Sequence, residues 1–410
     1  MTVRVNKSSF NIREKLSELG RKFGLKGSEL AAAETVQEAR DLVSAGRKNM
    51  FINGDFRVAQ RNTSMSGRTS GGYWTVDRFQ TGISAAGTWT ISQSTDVPDG
   101  FANSIKYDCT TANTSLGSTA QLYLVQKIEA QNLQHLGYGS SAAQDTTFSF
   151  YFKTNKTGVY TVELFQADAS RSIGFEMDVT QTGWQRYQFV IPGDTAGTIN
   201  NDNGIGLWCF VWLAAGSSFT SGTFNNRAWA TGTQANRLSP NQVNFADSTS
   251  NELYITGYQF ELGRNATEFE HRSYSEELQL CKRYYQRWNG NDPDFNTYNS
   301  SGNRTGTTSV ARATLIAHGP VHDPDDANVS MMLDVEMRDN PTVELPSGNN
   351  SIRLIVGQSI YDNATYVQEN NCSRNILSIF VDNGGAMTAS QPASLVLRDS
   401  NSYIALDAEL

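Results

Sequence analysis

The stretch "HGPVHDPDD" brings two imidazoles and three carboxylates together: His318, His322, Asp323, Asp325 and Asp326. Neutral imidazole nitrogens and carboxylate oxygens bind first-row divalent metals, and copies of the chain meeting on an axis could complete such a site. A Pro/Asp-rich surface loop with solvated histidines explains the same residues more simply, because the spacing matches no metal motif. Asn53 and Asp55, in "FINGDFRVAQ", supply the hard oxygen donors that hold calcium. The plainer reading is a Gly-Asp kink in an edge strand. Asp292 and Asp294 are paired acids of the type that hydrolyses a glycoside, with no cleft signature around them. Sugar rings stack on exposed aromatic faces, and Trp89, Trp229, Tyr298 and Tyr361 lie near turns or polar loops where a ring can stay exposed. Trp74, Trp184, Trp208 and Trp212 fall inside strand patterns and are assigned to the core.

The chain has only four histidines and no GxSxG, HExxH, P-loop or dinucleotide-binding glycine pattern. No catalytic residue and no cofactor is assigned, and a structural calcium at Asn53 and Asp55 is the one ion considered. Cys109, Cys209, Cys281 and Cys372 are widely spaced, which suits free thiols made in a reducing cytoplasm better than a disulfide framework. The net charge of −8 argues against nucleic acid as a partner. No run approaches the roughly 20 apolar residues of a membrane helix, and the first residues lack the apolar region of a secretory signal.

What must position these residues is mostly β-structure. From Asn49 the pattern has period two, with strands such as "TWTISQS", "SIKYDCT", "TTFSFYFKT", "GVYTVELFQA" and "NELYITGYQFELG" separated by Gly, Asn, Asp and Thr. Many short strands with turn chemistry between them predict a sandwich or barrel. "LWCFVWLA" is apolar at nearly every position and should be covered on both faces. A second, smaller set of strands follows a polar stretch after Trp288.

Two segments read differently. Residues 1–48 carry ten Lys/Arg against six acids, and capping pairs open short helices there. Ile12, Leu16, Leu19 and Phe23 form one apolar stripe, too small to bury itself without sister chains or a mounting surface. Ser273 and Glu276 have capping-box spacing, and Leu278, Cys281, Tyr285 and Trp288 recur at three, four and three, predicting an amphipathic helix to Trp288. That helix packs on a β domain or forms a seam around a threefold axis.

"ITGYQFELGRNATEFEHRSYSEELQLCKRYY" resembles the signature that closes a jelly-roll domain in many tailed-phage tail-fibre and virion structural proteins. "TTFSFYFKTNKTGVYTVEL", "GWQRYQFVIPGDTAGT" and "NGIGLWCFVWLAAGSSF" follow the same pattern in order. The leader is similar to those of marine, cyanophage-type fibre proteins. The resemblance implies a mainly β protein: a helical virion anchor at 1–48, a jelly-roll β-sandwich at 49–272, a linking helix at 273–288 and a distal β domain at 289–410. It also implies a virion localisation, assembly as a homotrimer, docking to phage tail or other virion proteins, and recognition of host surface glycan without catalysis. A purely structural fibre or spacer, or less readily a depolymerase, are the alternatives.

Overall fold

Strands with one apolar face need a second layer to bury it. The computed structural model describes residues 48–289, 315–345, 352–357, 359–361, 365–368, 372–382, 385, 387–397 and 402–410, and is mainly β. One six-stranded sheet has the order β1 (Ser64–Arg68), β3 (Thr88–Ser94), β4 (Ser104–Thr111), β12 (Glu252–Leu262), β6 (Thr146–Thr154), β9 (Gln185–Ile191). The other runs β11 (Ala230–Thr231), β8 (Arg171–Val179), β7 (Gly158–Gln166), β10 (Ile205–Ala215), β5 (Gln121–Glu129), β2 (Phe79–Ser84). Every pairing between these strands is antiparallel.

The two sheets share one core. Phe148, Phe150 and Phe152 of β6 and Ile105 and Tyr107 of β4 meet Leu122 and Leu124 of β5 and Val162 and Leu164 of β7. Tyr258 stands at its centre, with ring centroids 4.8 Å from Phe51, 5.2 Å from Phe79 and 4.7 Å from Phe148, largely in the tilted and edge-on geometries that aromatic quadrupoles favour. A bulge between Thr256 and Gln259 aims that ring inward. Gly257 makes the bulge possible: its φ is +66°, and a Cβ there would lie 2.8 Å from Tyr151 and 2.9 Å from Phe101. As its composition requires, β10 is covered on both faces, with Leu207, Cys209, Val211 and Leu213 in the shared core and Phe210 and Trp212 in a separate outer cluster. A short helix, α1 (Ser217–Thr220), follows it.

Beyond residue 314 a second unit has its own core. Its larger sheet has the order β18 (Ser359–Tyr361), β17 (Ile352–Val356), β21 (Pro392–Leu397), β14 (Leu315–Pro320), β15 (Asp326–Met332), β20 (Ile376–Asp382), β19 (Thr365–Gln368). A three-stranded sheet joins β13 (Tyr285–Asn289), β22 (Tyr403–Asp407) and β16 (Thr342–Glu344).

The helix expected over 273–288 is shorter than its stripe. The capping box is present, and α2 spans Tyr274–Lys282. Tyr285 and Trp288, placed on the helix by their spacing, lie instead on β13, paired with Asp407 and Ile404. Aromatic residues favour a pleated, half-buried surface, and pairing with β22 supplies one that local spacing cannot reveal. Leu278 and Cys281 keep the helical assignment, half-buried and buried respectively. The expected anchor stripe of Ile12, Leu16, Leu19 and Phe23 lies outside the described residues, as do Tyr298, Asp292 and Asp294.

The two units meet over buried charge. Arg61 pairs with Asp407 at 2.7 Å and Arg78 with Glu409, each guanidinium lying on a tyrosine ring, Tyr285 at 3.6 Å and Tyr284 at 3.3 Å. Glu129, fully buried, accepts Arg283 at 2.8 Å through both Nε and Nη2, and the Tyr284 hydroxyl as well. Beside them Asp77 accepts the backbone N–H and the side-chain amide of Gln60. Burial pushes the Asp77 carboxyl up to about 6, outweighing Arg61 and the Gln60 bonds.

Unfolded, an aspartate titrates near ~4. From there to about 6 the folded protein holds the extra proton, so this group's contribution is full below about 4 and is lost as pH rises through about 6. Asp77→Asn is therefore expected to gain on the parent as pH rises from about 4 to about 7. Calorimetry would read this as a Tm difference that moves in the variant's favour. A constant difference would show that Asp77 does not titrate there.

Candidate functional site

The structure scatters the aromatic residues singled out for sugar. Trp89 is a core residue: fully buried, stacked on Phe245 at 5.3 Å, its Nε1 donating to the Ala86 carbonyl. It presents no face to a ligand. The alternation of β3 turns it inward, and a neighbouring turn does not change which way a strand residue points. Trp229 is half-buried, its Nε1 donating to Pro192 O at 2.7 Å and its ring against the edge of Tyr138. Tyr361 is half-buried on the core of the second unit. None of the three meets another.

Asn53 and Asp55 are engaged within their own turn, with one Asp55 oxygen buried and unpartnered. Asn53 sits at φ 60°, with its amide donating to Val58 O and Asp77 O and its Oδ1 accepting Val58 N–H at 2.9 Å. That oxygen already pins the turn. One oxygen of Asp55 binds Arg57 at 2.5 Å. Gly54 lies between them because a Cβ would reach 2.2 Å from the Tyr258 carbonyl oxygen. At the other candidate, His322 Nδ1 lies 3.6 Å from one oxygen each of Asp323 and Asp326. The second Asp323 oxygen accepts the backbone N–H groups of Asp325 and Asp326 in a tight turn. His318 points elsewhere, to Ser394 Oγ at 3.1 Å.

The residues that carry the fibre-protein resemblance have a mechanical task. Glu270 Oε2 accepts the backbone N–H groups of Lys48 and Asn49, both at 2.6 Å. Arg272 donates to the carbonyls of Phe51 and Asn49 and to Glu270 and Glu277, while Glu277 accepts Asn53 N–H. Burial alone would raise the Glu270 carboxyl, but the two N–H groups and Arg272 hold it below the usual range. These side chains clasp the start of the sandwich to its end.

An open surface lies on the other sheet. Trp208, Phe210 and Trp212 alternate outward along β10, with centroids 5.5 Å apart at each step. Tyr123 of β5 meets Phe210 and Trp212 at 5.0 and 4.7 Å, and Phe165 of β7 flanks them. The segment after β11 brings Arg237 over this row, its guanidinium 5.0 Å from Phe165, 5.2 Å from Phe210 and 5.5 Å from Trp212. Beneath it the buried Glu163 accepts Arg237 Nε at 2.6 Å, Nη2 at 2.9 Å and Trp212 Nε1 at 2.8 Å. Phe210 and Trp212 are sealed in, while Trp208, Tyr123 and Phe165 stay half-exposed around a cleft of about 110 Å³ that Gln121 closes. Pockets that enclose a small ligand hold roughly 300–1,000 Å³, so a ligand here lies across the surface instead of entering it. The lining contains no carboxylate pair for acid–base work.

The strand pattern assigns Trp208 and Trp212 to the core. For Trp212 that holds in burial, though in the outer cluster; Trp208 lines the cleft. The signal for it was present. A strand apolar on both faces needs two covers, and "LWCFVWLA" sends its aromatics to one face and its aliphatics to the other.

No protein-family model matches the chain, and no curated protein does. Among solved structures it is similar to the CBM22-1 xylan-binding domain from Paenibacillus barcinonensis Xyn10C, at 8% identity over 54% of this chain and 100% of that one, TM-score 0.27. The CBM22-1–CBM22-2 tandem of the same protein gives 8% identity over 89% and 99%, TM-score 0.26. A cyclase from Fischerella sp. TAU gives 10% over 50% and 86%, TM-score 0.25. Similarity at this level carries no argument about ligand or site.

Proposed function

We propose that this chain is a non-catalytic glycan-adhesion subunit of a phage fibre, a jelly-roll sandwich whose sugar-contact surface is the cleft on β5, β7 and β10. One observation carries the reading: an outward row of aromatic rings with half-exposed Trp208 at one end, the Lys127 ammonium 4.4 Å from its ring centroid, Arg237 over the middle of the row and Gln121 at the far end. Ring faces bind the C–H side of a pyranose, the guanidinium reaches hydroxyls beside them, and the Gln121 amide meets a sugar further along a glycan chain that follows the row. The contact is shallow, so its strength comes from repetition. Weak sites multiplied over the chains of a fibre gain avidity through effective concentration. Virion mounting through residues 1–48 and a homotrimeric state belong to the same reading and rest on the sequence resemblance.

Trp208→Ala is expected to weaken binding to a bacterial surface polysaccharide by about 30-fold, the loss of roughly 2 kcal/mol at an aromatic anchor. Affinity electrophoresis reads this directly, with the parent retarded and the variant, still melting cooperatively, running free. Equal retardation of the two would end the reading and favour a fibre subunit without a ligand.

A further inference from the structure

A guanidinium carries two parallel donor pairs, one on Nε and Nη2 and one on Nη1 and Nη2. In Arg237 the first pair is taken by Glu163, which is fully buried and also accepts Trp212 Nε1. That carboxylate holds the guanidinium plane rigid from behind, and the flanking Phe165, Phe210 and Trp212 rings fix it laterally. Among the described residues no acceptor meets Nη1, and Arg237 lines the cleft. Planarity directs the second pair away from Glu163.

We infer that this second donor pair selects sugars bearing a carboxylate, so that the ligand class of the cleft is an acidic, uronate-containing glycan; the inference rests on the cleft being a glycan surface. A carboxylate places two acceptor oxygens in one plane at the spacing of the two N–H groups, whereas a hydroxyl offers one uncharged acceptor. Charge-assisted bonds are roughly twice as strong as neutral ones. The carboxyl carbon of a hexuronate is attached at the ring edge, so a pyranose lying against Trp208 can extend it toward the guanidinium. The chain's net charge of −8 repels a polyanion at long range. Ionic strength near 0.1 M screens that repulsion beyond about 10 Å, while the fork acts at contact.

The test is calorimetric titration of the full chain with a panel of uronate polymers of different linkage, each beside its carboxyl-reduced form. Reduction turns the carboxylate into a primary alcohol and leaves the rest of the sugar unchanged. The parent is expected to prefer at least one acidic polymer about 10-fold over its reduced form. Arg237→Lys keeps a charge for Glu163 but loses the planar fork, and should drop the preference below about threefold because affinity for the acidic form falls more than affinity for the reduced one. If the lysine variant fails to melt cooperatively, the double variant Arg237→Gln/Glu163→Gln, which leaves no buried charge unpaired, replaces it with the same expectation. A parent with no preference for any acidic polymer, or variants that keep it, overturn the inference. If Trp208→Ala meanwhile abolishes binding of both forms, only the carboxylate claim falls. If Trp208→Ala binds both forms like the parent, the cleft is not the site, and the inference falls with the adhesion reading.

Discussion

Glu409→Ala is expected to destabilise the protein by about 3–5 kcal/mol and to unseat the distal unit from the sandwich. The side chains of Arg78 and Glu409 are 1% and 4% exposed, so removing the carboxylate leaves a cation inside the junction. The other neighbours of Arg78, the Lys127 carbonyl and the Tyr284 ring, carry no formal negative charge. Arg61 keeps Asp407 and so does not rescue its neighbour. The double variant Arg78→Met/Glu409→Leu removes both charges and should cost far less than the single change, because an apolar pair of similar volume often replaces a buried ion pair at little cost. Urea unfolding distinguishes these cases. The single variant should show an early transition, from release of the distal unit, ahead of the main one. A loss below about 1 kcal/mol, with one transition, would mean that water already reaches Arg78.

Arg272→Ala should be nearly as damaging, again about 3–5 kcal/mol, for a different reason. The arginine satisfies the carbonyls of Asn49 and Phe51 and neutralises Glu270 and Glu277. Glu277 is already held above its usual range because burial outweighs Arg272, and it would lose its counter-charge. Lysine is not a substitute, since one ammonium cannot reach four acceptors spread around a planar fork. Amide hydrogen exchange at Met50, whose N–H binds Phe260 O, would report the opening. Protection there that survives in the variant would assign the stability of this corner to packing alone.

Much of the architecture was legible in the sequence because period-two patterning with Gly and Asn turns has few other outcomes. The two β units, the capping box at Ser273 and the two-sided cover of β10 follow from local residue types. What was not legible depends on distant partners. The stripe Leu278, Cys281, Tyr285, Trp288 fits a helix on spacing, and only pairing with β22 explains why the helix stops at Lys282. Proximity to a turn suggested an exposed Trp89, whereas strand alternation buries it. The cleft needed three strands and a loop that are adjacent in space but far apart in sequence. Arg237, in a polar run with nothing to mark it, becomes significant only over Phe210 and above Glu163. Likewise, Asn53 has the composition of an ion ligand, and its oxygen turns out to be occupied by Val58 N–H.

The return of β22 to β13 governs how the polypeptide matures. Residue 285 waits for residue 407, and Asn49 waits for Arg272, so both closures are long-range. Such topologies fold on the slow side, because loop entropy is lost before the contacts form. A chain that stops before Tyr403 presents two arginines with neither Asp407 nor Glu409 to receive them, and its β13 has no β22 to pair with. A chain without β22 would thus be a sticky, protease-sensitive product.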